Sequence, residues 1–326
     1  MRLISFLKNG ALNIEKIGIN IFPRDRILSA ISYDGILFKK EKGIRVNPDR
    51  SSSEEMVYYP FALKIEEKIR LYYHSSNNKS GTIVSRVSDD GLNFFSKPTI
   101  HLLPSNLLDE KGCFAPWIIQ LEEGLFRMYY SGKDKKGKRR ILSAVSKNGI
   151  AWEKENGIRI GTQDEIKNLS ILDVAVIRVK DGYRAYFSGL TSKGCFILSA
   201  ISSCGFVFEI EKGIRIGKEN TGMAVVNNPS PIFLEDGRIR LYFRAGSKSA
   251  IGNMIYSAIS SDGLKWEIED GIRITPSKSW RAFDCHGVGF PNVIRLNHGY
   301  RIYYTGYWGP HLLKPLTVMR WKKPLL

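Results

Sequence analysis

Residues Ile255-Tyr256-Ser257-Ala258-Ile259-Ser260-Ser261-Asp262-Gly263-Leu264-Lys265-Trp266 decide how the rest of the chain is read. Apolar and small polar residues alternate up to Ser260, which is the period of a half-buried strand. Asp262-Gly263 then offers a tight hairpin turn, because both residue types tolerate positive φ. A second strand follows, with Trp266 at its packing position.

The same hairpin occurs at Ile27-Leu-Ser-Ala-Ile-Ser-Tyr-Asp-Gly35, Ile83-Val-Ser-Arg-Val-Ser-Asp-Asp-Gly91, Ile141-Leu-Ser-Ala-Val-Ser-Lys-Asn-Gly149 and Ile197-Leu-Ser-Ala-Ile-Ser-Ser-Cys-Gly205. The marker glycines are 56, 58, 56 and 58 residues apart. Phe38, Phe94, Trp152 and Phe208 stand where Trp266 stands. In four copies a Gly-Ile-Arg begins eight residues after the marker, at Gly43, Gly157, Gly213 and Gly271. Between markers lies a second hairpin. It begins at Tyr59-Pro60, Ala115-Pro116, Asp173-Val174, Asn228-Pro229 or Phe290-Pro291. It passes a turn such as Glu122-Glu123-Gly124, Asp181-Gly182 or Asp236-Gly237, and ends in an aromatic pair. Those pairs are Tyr72-Tyr73, Tyr129-Tyr130, Tyr186-Phe187, Tyr242-Phe243 and Tyr303-Tyr304.

Four strands per repeat of this length predict an all-β chain, a five-bladed β-propeller with four-stranded blades. The first outer hairpin has no inner hairpin before it, and the last inner hairpin has no outer one after it. Pairing the N-terminal and C-terminal segments therefore closes the ring, and residues 1–326 read as a single domain. Residues 1–22, with Asn9-Gly10 and Gly18-Ile19, read as a closing strand or a degenerate sixth copy.

The formal charge of +17 points to an anionic partner or to a lysine-rich solvated surface. Its densest run is Lys133 to Arg140, and no nucleic-acid motif accompanies it. Cys113, Cys195, Cys204 and Cys285 lack C-x-x-C or metal-ligand spacing, which suits free thiols in a reducing compartment. The N-terminus has too short an apolar run for a signal peptide, and no stretch is long and apolar enough for a membrane span. The expectation is a soluble, cytoplasmic protein.

On the Ser260-to-Trp266 hairpin and the x-Pro inner-strand starts, the chain resembles the five-bladed propeller glycosidases, the superfamily of arabinanases, xylosidases, invertases and levansucrases. The hairpin is also similar to the Asp-box of sialidases, without the extra residue between Asp and Gly. The resemblance covers nearly the whole chain. It implies a site where the inner strands begin, around the central axis, and hydrolysis by two carboxylates flanking the scissile bond. In family 43 the catalytic acids would precede the first inner Pro, follow Ala-Pro in the next blade, and precede the third inner strand. Here Tyr59 precedes Pro60, Trp117 follows Ala115-Pro116, and the third strand reads Ile171-Leu172-Asp173-Val174. The usual triad is thus absent from its standard register. Related enzymes often carry an axial calcium, but no Asp-rich loop demands one here, and no cofactor is expected.

The candidate catalytic residues are Asp173, Asp284, His286 and Glu55, with Glu54 beside it. Asp173 stands at an inner-strand start. Asp284 and His286 precede the last inner strand, and a His among charged groups suits proton transfer near neutral pH. The candidate substrate-binding residues are Tyr59, Trp117, Asn228, Arg244, Arg281 and Trp308. Arg244 replaces the His74, Ser131, Ser188 or Thr305 of the other repeats, and a guanidinium suits a carboxylate or phosphate. Two functions compete. One is a glycan-active enzyme, a hydrolase or a related transferase or phosphorylase acting on an anionic or phosphorylated sugar. The other is a propeller without glycosidase activity that binds carbohydrate or acts on another small polar molecule.

Overall fold

A computed structural model of the chain describes residues 25–49, 54–76, 80–105, 107–121, 124–161, 169–192, 194–247 and 251–308. The closing or sixth-copy expectation for residues 1–22 lies outside these, as does the Glu122-Glu123 half of one expected turn. The chain is all-β, and its strands are grouped in several sheets.

Among the described residues the strands form five antiparallel groups of four, each with a short outermost strand. Strands β3 (Met56–Ile65), β4 (Lys68–Ser76), β5 (Gly81–Ser88) and β6 (Thr99–Leu102) make the first unit. The second is β7 (Gly112–Gln120), β8 (Phe126–Lys133), β9 (Arg139–Ser146) and β10 (Glu153–Lys154). The third is β11 (Ser170–Val179), β12 (Gly182–Thr191), β13 (Gly194–Ser202) and β14 (Glu209–Ile210). A one-turn helix, α1 (Lys218–Thr221), leads to the fourth: β15 (Val225–Phe233), β16 (Ile239–Gly246), β17 (Met254–Ser260) and β18 (Glu267–Ile268). The fifth unit joins both ends of the described chain. Strands β19 (Gly287–Leu296) and β20 (Gly299–Tyr307) pair with β1 (Arg26–Ser32), which pairs with β2 (Lys39–Lys40). The first strands of the units touch in sequence: β3 lies against β7, β7 against β11, β11 against β15, β15 against β19, and β19 against β3.

The core lies between the faces of neighbouring units. One cluster joins Tyr129 and Ile141 of the second unit to Val176 and Phe187 of the third. Another joins Tyr186 and Ile197 of the third unit to Leu241 and Phe243 of the fourth. Each packed sheet therefore buries apolar area that a single unit would leave wet.

The marker hairpin works differently from the tight turn expected of Asp-Gly. In the fifth unit Ser32 Oγ donates to Asp34 Oδ1, and that same oxygen accepts the backbone N–H groups of Ile36 and Leu37. Gly35 N–H donates to Ser32 Oγ, and Gly35 takes the positive φ of 74°. The acidic side chain thus serves as a backbone acceptor, and the turn is wider than a two-residue connection.

Each marker glycine also meets the neighbouring unit. The first tyrosine of each aromatic pair donates its hydroxyl to a marker carbonyl: Tyr72 to Gly149, Tyr129 to Gly205, Tyr186 to Gly263, Tyr242 to Gly35 and Tyr303 to Gly91. These bonds run from the first unit to the second, onward to the fifth, and from the fifth back to the first. A Cβ on Gly263 would sit 2.6 Å from the Tyr186 hydroxyl, so only glycine fits. Beneath this contact an arginine, a glutamate and a serine interlock in four units. Arg184, Glu211 and Ser199 are one such set, and Arg301, Glu41 and Ser29 another. In the first unit Lys97 stands where that glutamate would be, and Arg70 bonds Ser85 directly.

Candidate functional site

All five innermost strands carry a register shift near their starts. It falls between Tyr58 and Phe61, Phe114 and Trp117, Ile171 and Val174, Asn227 and Ser230, and Gly289 and Asn292. Four of these bulges contain x-Pro, and the residue before proline has positive φ: Tyr59 (57°), Ala115 (51°), Asn228 (57°) and Phe290 (51°). Such a backbone is uncommon for any residue with a Cβ and is held by its surroundings. The third unit has Asp173-Val174 at this place, and Asp173 is not among the positive-φ residues.

These bulges line one small cavity. Its walls are Tyr59 and Pro60, Ala115 to Trp117, Asp173 and Val174, Asn228 and Pro229, and Phe290 and Pro291. Neighbouring strands are stitched together just below it. Asn292 Oδ1 accepts the Ala62 N–H, Ser230 Oγ accepts the Val293 N–H, and Trp117 Nε1 donates to the Val176 carbonyl at 2.7 Å. The Trp117 indole also packs edge-on against Phe61, so its polar edge is already used inside the protein.

Asp173 is 4 % exposed and is the one carboxylate among the residues that line the cavity. Its Oδ1 accepts the Ser188 hydroxyl at 2.5 Å and its Oδ2 accepts Asn228 Nδ2 at 2.6 Å. Burial pushes its pKa above the usual carboxylate range, while Ser188, Asn228 and the nearby Arg244 pull it back. Asn228 Oδ1 is buried and has no hydrogen-bond partner among the described residues. Arg244 lies beside this group. Its Nε donates to Asn227 Oδ1 at 2.8 Å, one terminal nitrogen donates to the Tyr307 hydroxyl at 3.1 Å, and its guanidinium faces the Phe290 ring at 5.6 Å. Tyr59 and Phe290 also line the cavity, with ring centroids 3.9 Å apart.

Asp173, Tyr59, Trp117, Asn228 and Arg244 are therefore brought together. The other expected residues stand elsewhere. Asp284 is buried beside Lys40 Nζ (2.5 Å) and accepts the Tyr304 hydroxyl. Asp109 does the same with Lys154 and Tyr130, and Glu54 with Arg86 and Tyr73. These three carboxylates thus form a repeated ion pair that anchors the second tyrosine of an aromatic pair. Glu55 and His286 are half-buried at the starts of β3 and β19 and do not line the cavity. Arg281 lies over the exposed Trp280 ring, and Trp308 Nε1 donates to the Trp280 carbonyl. Arg281 and Trp280, in the segment before β19, thus make a surface group with Trp308, which follows β20.

Phe290, Asn227, Ser188 and Tyr307 were missing from the expected site. Phe290 was legible, because it occupies the same repeat position as Tyr59 and Asp173. No group of three or more His, Cys, Asp or Glu among the described residues is arranged to hold a metal. No described helix is long and apolar enough to cross a membrane.

No family model matches the sequence, and no curated protein matches it. Solved structures do. One described as a glycoside hydrolase is 14 % identical, with TM-score 0.65, over 98 % of this chain and 100 % of its own. A putative glycosidase from Bacteroides thetaiotaomicron is 18 % identical, with TM-score 0.60, over 79 % of this chain and 87 % of its own. A third belongs to family 130, mannoside phosphorylases that include glycoside hydrolases targeting β-1,2 mannosidic linkages in Candida mannan. It is 17 % identical, with TM-score 0.61, over 79 % of this chain and 85 % of its own. At these identities the likeness is one of fold: the chain shares the all-β architecture of glycoside hydrolases.

Proposed function

We propose that this chain is a glycan-active enzyme with its active centre in the axial cavity, on a single five-bladed β-propeller. The propeller reading is supported by the five four-stranded units, the return of β19 onto β3, and the tyrosine-to-glycine bonds that pass from unit to unit. The fold shared with glycoside hydrolases and the axial position of the cavity favour a sugar as substrate. The +17 charge favours an anionic or phosphorylated one.

One observation carries the assignment. A buried carboxyl replaces x-Pro at one of five equivalent axial bulges, and burial favours its protonated form. Such a group suits a general acid that protonates the departing glycosidic oxygen. The orphaned Asn228 Oδ1 offers an acceptor for a sugar hydroxyl, and the Tyr59 and Phe290 rings offer an apolar wall. Asp173→Asn assayed on a panel of glycosides tests the reading, and turnover equal to that of the unsubstituted protein would sink it.

A second reading has its own support. Hydrolysis uses two carboxylates, and Asp173 stands alone among the cavity's lining residues. A propeller that binds a saccharide without cleaving it fits that fact. It predicts saturable binding in a saccharide screen with no product released.

A further inference from the structure

At the cavity's end of the molecule, the segment before β19 lays a large ring open to solvent: Trp280 is 72 % exposed. Strand register fixes its place. Gly287 pairs with Tyr307, so the segment before β19 and the residue after β20 lie together, next to the bulge between Gly289 and Asn292. Tyr33 and Phe95 are as open, but they follow the far ends of β1 and β5.

Folding gains little from an exposed indole, yet this one sits on a fixed mount. Trp308 Nε1 donates to the Trp280 carbonyl at 3.2 Å, and the Cys285 thiol donates to the same oxygen. Lys40 bonds Ser277 ahead of the ring and Asp284 after it. The Ala282 N–H donates to the Ser279 carbonyl, and the Cys285 N–H to the Ala282 carbonyl. Arg281 stands over the indole at 5.1 Å, and Arg26 braces the part-exposed Phe283 ring at 4.0 Å. The mount is continuous with the cavity. Trp308 follows Tyr307, the Tyr307 ring meets Phe290 edge-on with centroids 6.1 Å apart, and Phe290 lines the cavity.

The chemistry of this surface selects its occupant. An indole is flat, rigid and electron-rich, and it meets the C–H face of a sugar ring at little cost in conformational entropy. Lys278, Ser279 and Arg281 are exposed beside it and present donors to sugar hydroxyls. A protein partner needs a broad complementary face, and here those polar and cationic groups interrupt the apolar surface. We propose that Trp280, mounted on Trp308, is an outlying sugar-stacking subsite for a saccharide whose reacting end occupies the axial cavity. The proposal rests on that cavity being where the sugar is bound. It makes the preferred ligand an oligosaccharide chain and not a simple glycoside.

A series of mannose, xylose and arabinose saccharides, from the disaccharide upward, tests the subsite on the full chain. A saccharide that reaches the ring gains equally in the ground and transition states, so Trp280→Ala raises its KM about tenfold with kcat unchanged. Disaccharides keep both constants. Trp280→Phe retains part of the gain, and Tyr33→Ala, which removes an equally open ring at the far end, alters nothing. Trp308 bonds the Trp280 backbone, so the mount survives both substitutions of Trp280. Tryptophan fluorescence reads the contact without catalysis: longer saccharides shift the emission of the unsubstituted protein and not that of Trp280→Ala protein. A rise in KM equal at all chain lengths, no change at any, or no emission shift with any saccharide of the series overturns the proposal. Turnover that needs Asp173 but ignores Trp280 removes the subsite and leaves the axial centre standing. An emission shift that needs Trp280, with turnover untouched by Asp173→Asn, keeps the stacking ring and removes the reading of Asp173.

Discussion

The rim and the axis of this protein are built by opposite rules. At the rim the same Ser-x-Asp-Gly turn is written five times with small changes, and each copy offers its glycine carbonyl to a neighbour's tyrosine. At the axis the five equivalent positions are Tyr59, Ala115, Asp173, Asn228 and Phe290, no two alike. Repetition suits a part that must fit the same neighbour each time. Divergence suits a part that meets one asymmetric ligand. The contrast teaches that function is to be sought where the repeat breaks, and the substitutions below set the two regions against each other.

The largest expected effect lies at the axis. Asp173→Asn lowers turnover by about 10²–10⁴-fold, the usual contribution of a general acid, while the melting temperature is retained or raised. The sign follows from the raised pKa of Asp173 in the folded state. Its contribution to stability is fully present below the unfolded value, near about 3.9, and is lost as pH rises through the folded value. Removing the ionisable group flattens that decline, read as melting temperature against pH.

Asp284→Asn should behave in the reverse way. It breaks the buried pair with Lys40, at a cost of about 3 kcal/mol in urea denaturation, and leaves turnover of the folded fraction within about twofold, an energy well under the 1.4 kcal/mol of a tenfold change. Large loss of turnover in folded Asp284→Asn protein would blur the division between the two regions. Gly263→Ala forces a Cβ onto positive φ and against Tyr186, for a loss of about 1–3 kcal/mol with unchanged chemistry. The smallest effect concerns His74, whose pKa burial holds down to about 3. A depressed histidine stabilises above its unfolded value of about 6.5 and ceases to do so as pH falls through the folded one. His74→Gln should therefore show a shallower loss of melting temperature between those limits.

Much of the fold was legible because spacing alone aligned the copies. The strand order and the pairing of β1 with β20 followed from that alignment. The turn chemistry was less legible: Asp34 acts through its carboxylate oxygen, a role that φ preference does not reveal. Asp173, Tyr59, Trp117 and Asn228, chosen by their place in the repeat, lie together at the cavity, with Arg244 on Asn227 beside them. Asp284 and Glu54 looked catalytic because each is an acid just ahead of an inner strand. Their match with Asp109, and the lysine or arginine that neutralises each, depends on strands far apart in sequence.

The fifth unit has a consequence for the order of assembly. Strand β1 is synthesised before every other described strand, yet its partner β20 is the last of them, with Arg26 opposite Gly306 and Ser32 opposite Tyr300. For most of translation β1 has only β2 and Val46 beside it, its other edge stays open, and Leu28 waits for partners such as Val288 and Ile302. Closing so long a loop is a slow step, because contacts distant in sequence are rewarded only after the chain entropy has been lost. The final hairpin therefore acts as a clasp: until β20 forms, the earliest strand is an open, aggregation-prone edge, and once it forms, no unit can loosen without disturbing the ring of neighbours.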